Sequence, residues 1–401
     1  MLFLTLPSAA GPLRVATFAS LLALFAAQGC SSPSQPTSST DASAAGATGA
    51  AADSSANKGS SALQLVAELR GPQFVGVAVT HDGRVLADFP RWDYNPVYPI
   101  ALVGSDNSVK PYPDASWCMW NDSVKNEPQK HWICPQSVHV DQKGTIWVLD
   151  PAAPGLKYTV VGGPKLVKID PKTNKVVQTI PFPESVVPRK AYLNDVRIDT
   201  QRNIAYITES GIGSLIVVDL ASGKARKALS NHPSVKADKS LQLKADGHLM
   251  VDAKGKPMQL NADGIALSRD FQYLYYMPLT SHKLYRIKTE ALRNAALSDA
   301  QVGQQVEDLG TVPASDGLEI DASNNVYLTS FETNSLMKRT PAGKIETLVQ
   351  DKRLQWPDTY SLTPNNELFI TTSAIHKTPN WNKGVSMQDQ PFHIFKMALP
   401  K

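Results

Sequence analysis

The chain has 401 residues, enough for two or three ordinary domains or for one large all-β domain. Charged residues make up 19% and aromatic residues 7%, and 40 basic side chains face 36 acidic ones, a net charge of +4 without any basic block. That balance excludes a nucleic-acid binder working through a clustered Lys/Arg footprint. Three cysteines exclude a disulfide-dense scaffold and a four-thiolate zinc site.

The first element in chain order is Val15–Ala27 (VATFASLLALFAA), an apolar run behind the lone Arg14. At about 13 residues it is too short to span a bilayer and has the length of a signal-peptide core. It leads into Ala27-Gln28-Gly29-Cys30, which resembles a bacterial lipobox with Ala27 where Leu is usual. Residues 1–29 are therefore expected to be a signal peptide and Cys30 a lipidated N-terminus; a conventional signal peptide cleaved nearby is the alternative. Residues 31–62 contain no Leu, Ile, Val or aromatic residue and cannot offset the entropy of ordering. They read as a disordered tether with a reach of about 30 Å. An exported protein is expected, in the periplasm or cell envelope as a lipoprotein, or secreted.

From Leu63 onward one pattern recurs: a polar turn, then a short strand with an aromatic or apolar centre. The copies are HDGRVLADF (His81–Phe89), DQKGTIWVLD (Asp141–Asp150), DTQRNIAYITES (Asp199–Ser210), SRDFQYLYYM (Ser268–Met277), DASNNVYLTS (Asp321–Ser330) and TPNNELFITT (Thr363–Thr372). Their centres, from Leu86 to Phe369, are spaced by about 57 residues, a repeat length that fits a propeller blade of three to four antiparallel strands. The fold expected is all-β, a six-bladed β-propeller over residues 63–401. LQLVAEL (Leu63–Leu69) has no blade of its own and HIFKMAL (His393–Leu399) matches a third strand. The two are expected to share the last blade and close the ring, leaving no open edge. The insertion Arg91–Pro135 and the hairpin Leu229–Leu260 depart from the repeat.

Several segments then resemble a known family. DFPRWDYNPVYPIAL (Asp88–Leu102), PYPDASW (Pro111–Trp117), TIWVLDPA (Thr145–Ala152), GPKLVKIDPKTNKVVQTIPFP (Gly163–Pro183) and YLNDVRID (Tyr192–Asp199) are similar to the yellow / major royal jelly protein family. AYITESGIGSLIVVDLASGKA (Ala205–Ala225) and DGIALSRDFQYLYYMPLTSHKLYRI (Asp263–Ile287) extend the likeness over nearly all of Leu63–Lys401. The resemblance implies a secreted six-bladed propeller with a small-molecule pocket at one channel mouth. Members bind biogenic amines or other small ligands, and a few are credited with dopachrome conversion.

In a propeller the residues starting the innermost strands converge on one mouth. Here they are Phe74, Gln136, Asn194, Asp195, Asp263, Asp316 and Asp358. Several carboxylates and an amide on one ring repel unless paired, and oxygen-only ligands suit Ca²⁺. The alternative is that the Asp-Gly pairs 263–264 and 316–317 bond local backbone amides. Asn194, Asp263 and Asp316 also resemble three of the four metal ligands of calcium-dependent gluconolactonase / regucalcin-like propellers. Asp263 stands where that family carries Asn, and its Glu of the first blade has no counterpart in FVGVAV.

The insertion carries Trp92, Tyr94, Tyr98, Tyr112, Trp117, Trp120 and Trp132, expected either to lid a pocket or to pack as a cluster beside blades 1 and 2. A disulfide between Cys118 and Cys134 is expected in an exported chain, worth roughly 3 kcal/mol; two buried thiols are the alternative. The eight histidines are scattered without zinc spacing, and His376 reads as a polar loop residue. The function expected is binding of a small organic ligand, an aromatic amine or catechol, by a monomer that meets membrane only through its anchor and binds no nucleic acid. The runner-up is a divalent-metal-dependent lactonase or related hydrolase with Asp195 as base, or a dopachrome-converting enzyme; an envelope scaffold is third.

Overall fold

The computed structural model describes residues 62–399. The expected signal peptide, the lipidated Cys30 and the tether up to residue 61 lie outside the described residues. Among the described residues there are six four-stranded antiparallel sheets, one two-stranded ribbon and three short helices. The six sheets are the blades of a β-propeller.

Burial explains the order of strands within a blade. The innermost strands Leu193–Asp199, Ala262–Leu267 and Ser315–Ile320 are buried at every position, because neighbouring blades cover both faces. An outer strand such as Lys175–Pro181 alternates between covered and exposed residues, as a half-buried strand does. The turn from the first to the second strand needs a left-handed residue. Gly83, Gly144, Asn203, Asn324 and Asn366 supply it, and Phe271 is the exception with φ of 60°.

The recurring aspartate and aromatic residue serve that turn. Asp141 accepts from the amides of Lys143 and Thr145 and from Trp147 Nε1 in the second strand. Asp321 accepts from the amides of Ser323 and Asn325 and from the Tyr327 hydroxyl. Each repeat thus carries its own turn device within a few residues of sequence.

Blade 6 runs outward through Pro357–Leu362, Glu367–Thr372 and Phe392–Ala398, and its outermost strand is Gln64–Leu69 from the other end of the propeller. The pairing places Leu65 opposite Phe395 and Leu69 opposite Phe392. The ring therefore closes as expected, with both ends satisfied by main-chain hydrogen bonds.

The expected insertion Arg91–Pro135 contains the third and fourth strands of blade 1, Ile100–Val103 and Val109–Pro111. The rest of it mostly packs as core between blades 1 and 2. Tyr112 and Trp132 are buried with Cys118 between these blades, Tyr98 and Trp117 lie against them, and Trp132 Nε1 donates to the Tyr112 carbonyl at 2.8 Å. Trp120 covers a smaller cluster of Ile133, Cys134 and Ala152. A fully buried ion pair anchors the end of the insertion. Lys165 Nζ meets Asp150 Oδ2 at 2.8 Å, and Asp150 also accepts from the amides of Ile133, Cys134 and Ala152.

The expected Cys118–Cys134 disulfide is not formed: both are buried free thiols. They belong to different clusters, and the Cys118 thiol is directed at the carbonyls of Ile100 and Tyr112 at 3.6 and 3.7 Å. Burial pushes Cys118 up to about 11 and Cys134 higher still, so neither is a ready thiolate.

Candidate functional site

Four inner strands carry the same irregularity at their first turn of backbone. The register slips between Leu193 and Val196, Ala262 and Ile265, Ser315 and Leu318, and Pro357 and Tyr360, whereas blades 1 and 2 pair without a slip. Bulges re-aim side chains, and these four present Asn194, Asp263, Asp316 and Asp358 to one mouth, here called the near mouth. The Asp-Gly pairs are not local turns. A Cβ on Gly264 would lie 2.4 Å from the Asp316 carbonyl oxygen, and one on Gly317 would lie 2.1 Å from that of Asp358. Glycine there lets each inner strand approach the next, drawing the carboxyls onto one small ring.

The side chains form a continuous hydrogen-bonded chain across the mouth. Trp92 Nε1 donates to the Tyr192 hydroxyl at 2.7 Å, which donates to Gln136 Oε1 at 2.6 Å, and Gln136 Nε2 donates to Asn194 Oδ1 at 3.1 Å. Asn194 Nδ2 donates to Asp263 Oδ1, Asp263 bonds Asp316, and Trp356 Nε1 donates to Asp316 Oδ2 at 2.6 Å. Trp356 takes a left-handed φ of 53°, costly for a bulky residue. It is held there by Phe331, stacked at 4.0 Å, and by the Ser373 amide on its carbonyl.

These residues line a cavity of about 390 Å³, with Trp92, Trp381, Ile375 and Leu260 as apolar wall and exposed Lys157, Lys190 and Lys256 at the rim. The hairpin Leu229–Leu260 roofs it. Leu243, Ala245, Met250 and Met258 bury themselves against Phe331, Trp356 and Ile375 in one cluster. Asp246 ties the hairpin tip to blades 5 and 6, accepting from Asn334 Nδ2 at 2.7 Å and meeting His376 Nε2 at 2.9 Å. His376 is thus a buried clasp rather than a polar loop residue, and its Nδ1 has no partner.

Burial governs the electrostatics. It pushes Asp263 well above the usual carboxylate range, helped by the neighbouring Asp316, and does the same to Asp358. Asp316 is pushed up to about 6, burial being partly offset by the hydrogen bonds from Trp356 and Asp263. The pair is therefore expected to retain a proton, shared between the two carboxyls. Sequence reading missed Asp88, from the second strand of blade 1. It lies over Gly76, fully buried and with both carboxylate oxygens unpartnered, and is held well above its ordinary value by burial and then by Asp195.

Of the residues expected at the mouth, Gln136, Asn194, Asp263, Asp316 and Asp358 are brought together. Phe74 is not: it packs in the core against Phe89 and Phe392, with ring centres 5.7 and 6.0 Å away. Asp195, expected as a base on the same ring, faces a different cavity, accepting from Ser137 Oγ at 2.6 Å with Arg197 3.6 Å away. The bulge turns consecutive residues Asn194 and Asp195 to opposite sides. Of the seven insertion aromatics only Trp92 reaches the pocket; Tyr94 bonds Gln388 at the surface. Tyr192, Trp356 and Trp381 carry no motif that points to them.

Asn194, Asp263 and Asp316 have the oxygen chemistry calcium requires, but they are turned toward one another. The Asn194 amide nitrogen faces Asp263 and the Trp356 N–H occupies Asp316. Among the described residues no group of three or more His, Cys, Asp or Glu is placed to hold a metal ion. A divalent ion at this ring requires displacement of the shared proton and a turn of the Asn194 amide, so no chemical step is derived through one.

Six four-stranded blades closed by an N-terminal strand, with polar residues on the inner-strand starts, define a six-bladed β-propeller with a single roofed mouth. A gluconolactonase from Xanthomonas campestris superposes with a TM-score of 0.51 at 12% identity, over 84% of this chain and 89% of that one. A luciferin-regenerating enzyme does so with 0.51 at 11% identity, over 84% and 95%. The chain belongs to the major royal jelly protein family, whose profile matches residues 133–396. Major royal jelly protein 6 of Apis mellifera is 22% identical over 235 residues, 57% of this chain and 50% of the relative. Protein yellow of Drosophila guanche is 24% identical over 238 residues, 54% and 40%. The chain thus spans half or less of the length of these curated relatives.

Proposed function

We propose that this protein is exported on a lipid anchor and that its near mouth binds a small organic cation, an aromatic amine with a phenol or catechol ring. One observation carries the reading. Asp263, Asp316 and Asp358 are buried side by side in the lining of one cavity, where burial pushes all three up and Asp263 and Asp358 are pushed further by a neighbouring carboxyl. Such a set can ionise only when a positive charge is brought in. An ammonium group supplies that charge, and the indole walls of Trp92 and Trp381 suit a ring or a cation–π contact. The cavity volume falls in the range of ordinary small-molecule sites.

Titration of the full chain with tyramine, followed by tryptophan fluorescence at pH 7.5, tests this against 4-ethylphenol, which keeps the ring and lacks the amine. Tyramine is expected to bind about tenfold or more tightly, and Asp316→Asn is expected to remove the difference. Equal affinity for the two compounds rejects the reading. The oxygen-only donor set favours a divalent cation as the second candidate. Calorimetric titration with calcium, beside an Asp263→Ala/Asp316→Ala variant, tests it; micromolar binding lost in the variant justifies assays for lactone hydrolysis and dopachrome conversion.

A further inference from the structure

At the opposite, far mouth, where the inner strands end, the cations of the lining are paired: Arg197 stands 3.6 Å from Asp195 and Arg269 3.9 Å from Glu319. The near mouth is built otherwise. Lys157, Lys190 and Lys256 line its cavity from three separate segments. Lys157 follows the turn Pro154–Leu156 beyond the second strand of blade 2, Lys190 precedes the inner strand of blade 3, and Lys256 belongs to the roofing hairpin. All three are exposed, and none makes an ion pair, a side-chain hydrogen bond or a ring contact with any described residue. The one acid among the partly exposed residues of the lining is Asp252, and its Oδ1 takes up the amides of Lys254 and Lys256 at 2.8 and 2.9 Å.

Charge is therefore sorted by depth. The carboxyls of Asp263, Asp316 and Asp358 lie buried at the inner-strand starts, and three lysines stand at the exposed edge against the single Asp252. A bare amine must pass like charges to reach the carboxyls, a repulsion that is modest at an exposed edge and is screened by salt. A ligand that carries its own anion, at the end away from its ammonium group, turns the same lysines from a barrier into partners. Its ammonium group meets the carboxyls and its ring lies against Trp92 and Trp381, while its anion stays at the edge, within reach of lysine and still hydrated.

We propose that the near mouth selects a dipolar aromatic ligand, with an ammonium arm at one end of the ring for Asp263, Asp316 and Asp358, and a carboxylate or like oxyanion at the other end for Lys157, Lys190 and Lys256. This class narrows the amine proposed above and rests on that reading.

Tryptophan fluorescence titration of the full chain at pH 7.5 and low salt tests it with three probes built on one ring. 4-(2-Aminoethyl)benzoate carries both charges, tyramine the ammonium alone, and 4-ethylbenzoate the carboxylate alone. The dipolar probe is expected to bind about fivefold more tightly than tyramine and about tenfold more tightly than 4-ethylbenzoate. Its advantage over tyramine is expected to fall below about twofold in about 0.5 M NaCl. The variant Lys157→Gln/Lys190→Gln/Lys256→Gln removes three exposed side chains that hold nothing else in the fold. It is expected to weaken the dipolar probe about fivefold and to tighten tyramine about twofold. Equal affinity for the dipolar probe and tyramine, or a variant that keeps the wild-type preference or weakens both alike, overturns the proposal and leaves the amine reading standing. Equal affinity for the dipolar probe and 4-ethylbenzoate overturns the amine reading, and this proposal with it.

Discussion

The two mouths of the channel are cut from the same six inner strands, both carry acids, and they differ in how those acids are held. At the near mouth the spare groups are acids: Asp263, Asp316 and Asp358 share one rim, with protons retained because burial leaves their charges uncompensated. At the far mouth Asp141 and Asp321 are closed by their turn amides, and Asp195 and Glu319 stand within ion-pair distance of Arg197 and Arg269. The construction differs as well. Tight turns, held by Asp141, Asp199 and Asp321 or by the hydroxyls of Thr80, Ser268 and Thr363, make the far mouth, while bulges, the Leu229–Leu260 hairpin and the segment after blade 1 make the near one. Identity along a strand thus matters less than which end of the channel a residue reaches. A single bulged position sends Asn194 to the near cavity and Asp195 to the far one, still close enough for Asp195 to raise Asp263 and Asp316.

The contrast can be broken most severely at its foundation. Lys165→Ala leaves Asp150 charged and buried beneath the insertion that carries Trp92, and a loss of about 3–5 kcal/mol is expected in chemical denaturation. A loss within about 1 kcal/mol would show that the insertion does not depend on this pair.

The pH dependence of stability sharpens the comparison. Asp316, Asp263, Asp358 and Asp88 all have folded values above the unfolded value of 3.8. Their native state keeps protons that the unfolded chain has released, so their stabilisation is complete below about pH 4 and is lost as pH rises through the folded values. Asp316 accounts for the fall through about pH 6, and the other three extend it upward. Glu346, held down to about 2 by Lys344 and Lys338, acts only on the acid side of this window. These carboxyls are therefore expected to cost on the order of 1–3 kcal/mol of stability from pH 5 to pH 8, while His139, His232, His376 and His393, held below the ordinary imidazole value by burial, act in the opposite sense. The near-mouth part is read as the difference in melting profile between wild type and Asp316→Asn, and a profile difference that does not change over this range would refute the shared-proton description.

The smallest expected effect is local. Tyr192→Phe leaves Trp92 Nε1 without an acceptor and Gln136 Oε1 without a donor, and about 1–3 kcal/mol of stability is expected to be lost. Tyramine affinity is expected to drop several-fold, and unchanged affinity would show that this hydrogen-bonded chain does not shape the near mouth.

The sequence by itself determined the blades, because what a blade needs lies within one repeat: a buried inner strand, a left-handed turn residue that is Gly or Asn in all but one blade, and an Asp, Ser or Thr that closes the turn. It also determined the closure of the ring, since Leu63–Leu69 and His393–Leu399 each lacked a partner, and it placed Gln136, Asn194, Asp263, Asp316 and Asp358 by their position at the start of inner strands. Tertiary structure decided the rest. Asp195 went to the far side because of a bulge whose register is set by the neighbouring strand. Asp88, from a second strand, is buried over Gly76, where a side chain would leave it no room. Most of the insertion aromatics, with Cys118 and Cys134, became core, since burying them between blades 1 and 2 gains more than a lid exposed to water. Arg197 reached across to Leu318, more than a hundred residues away in sequence, because only the closed ring sets blade 3 opposite blade 5. Periodicity is local and can be read along the chain, whereas the facing of side chains across a channel depends on distances that exist only once the ring has closed.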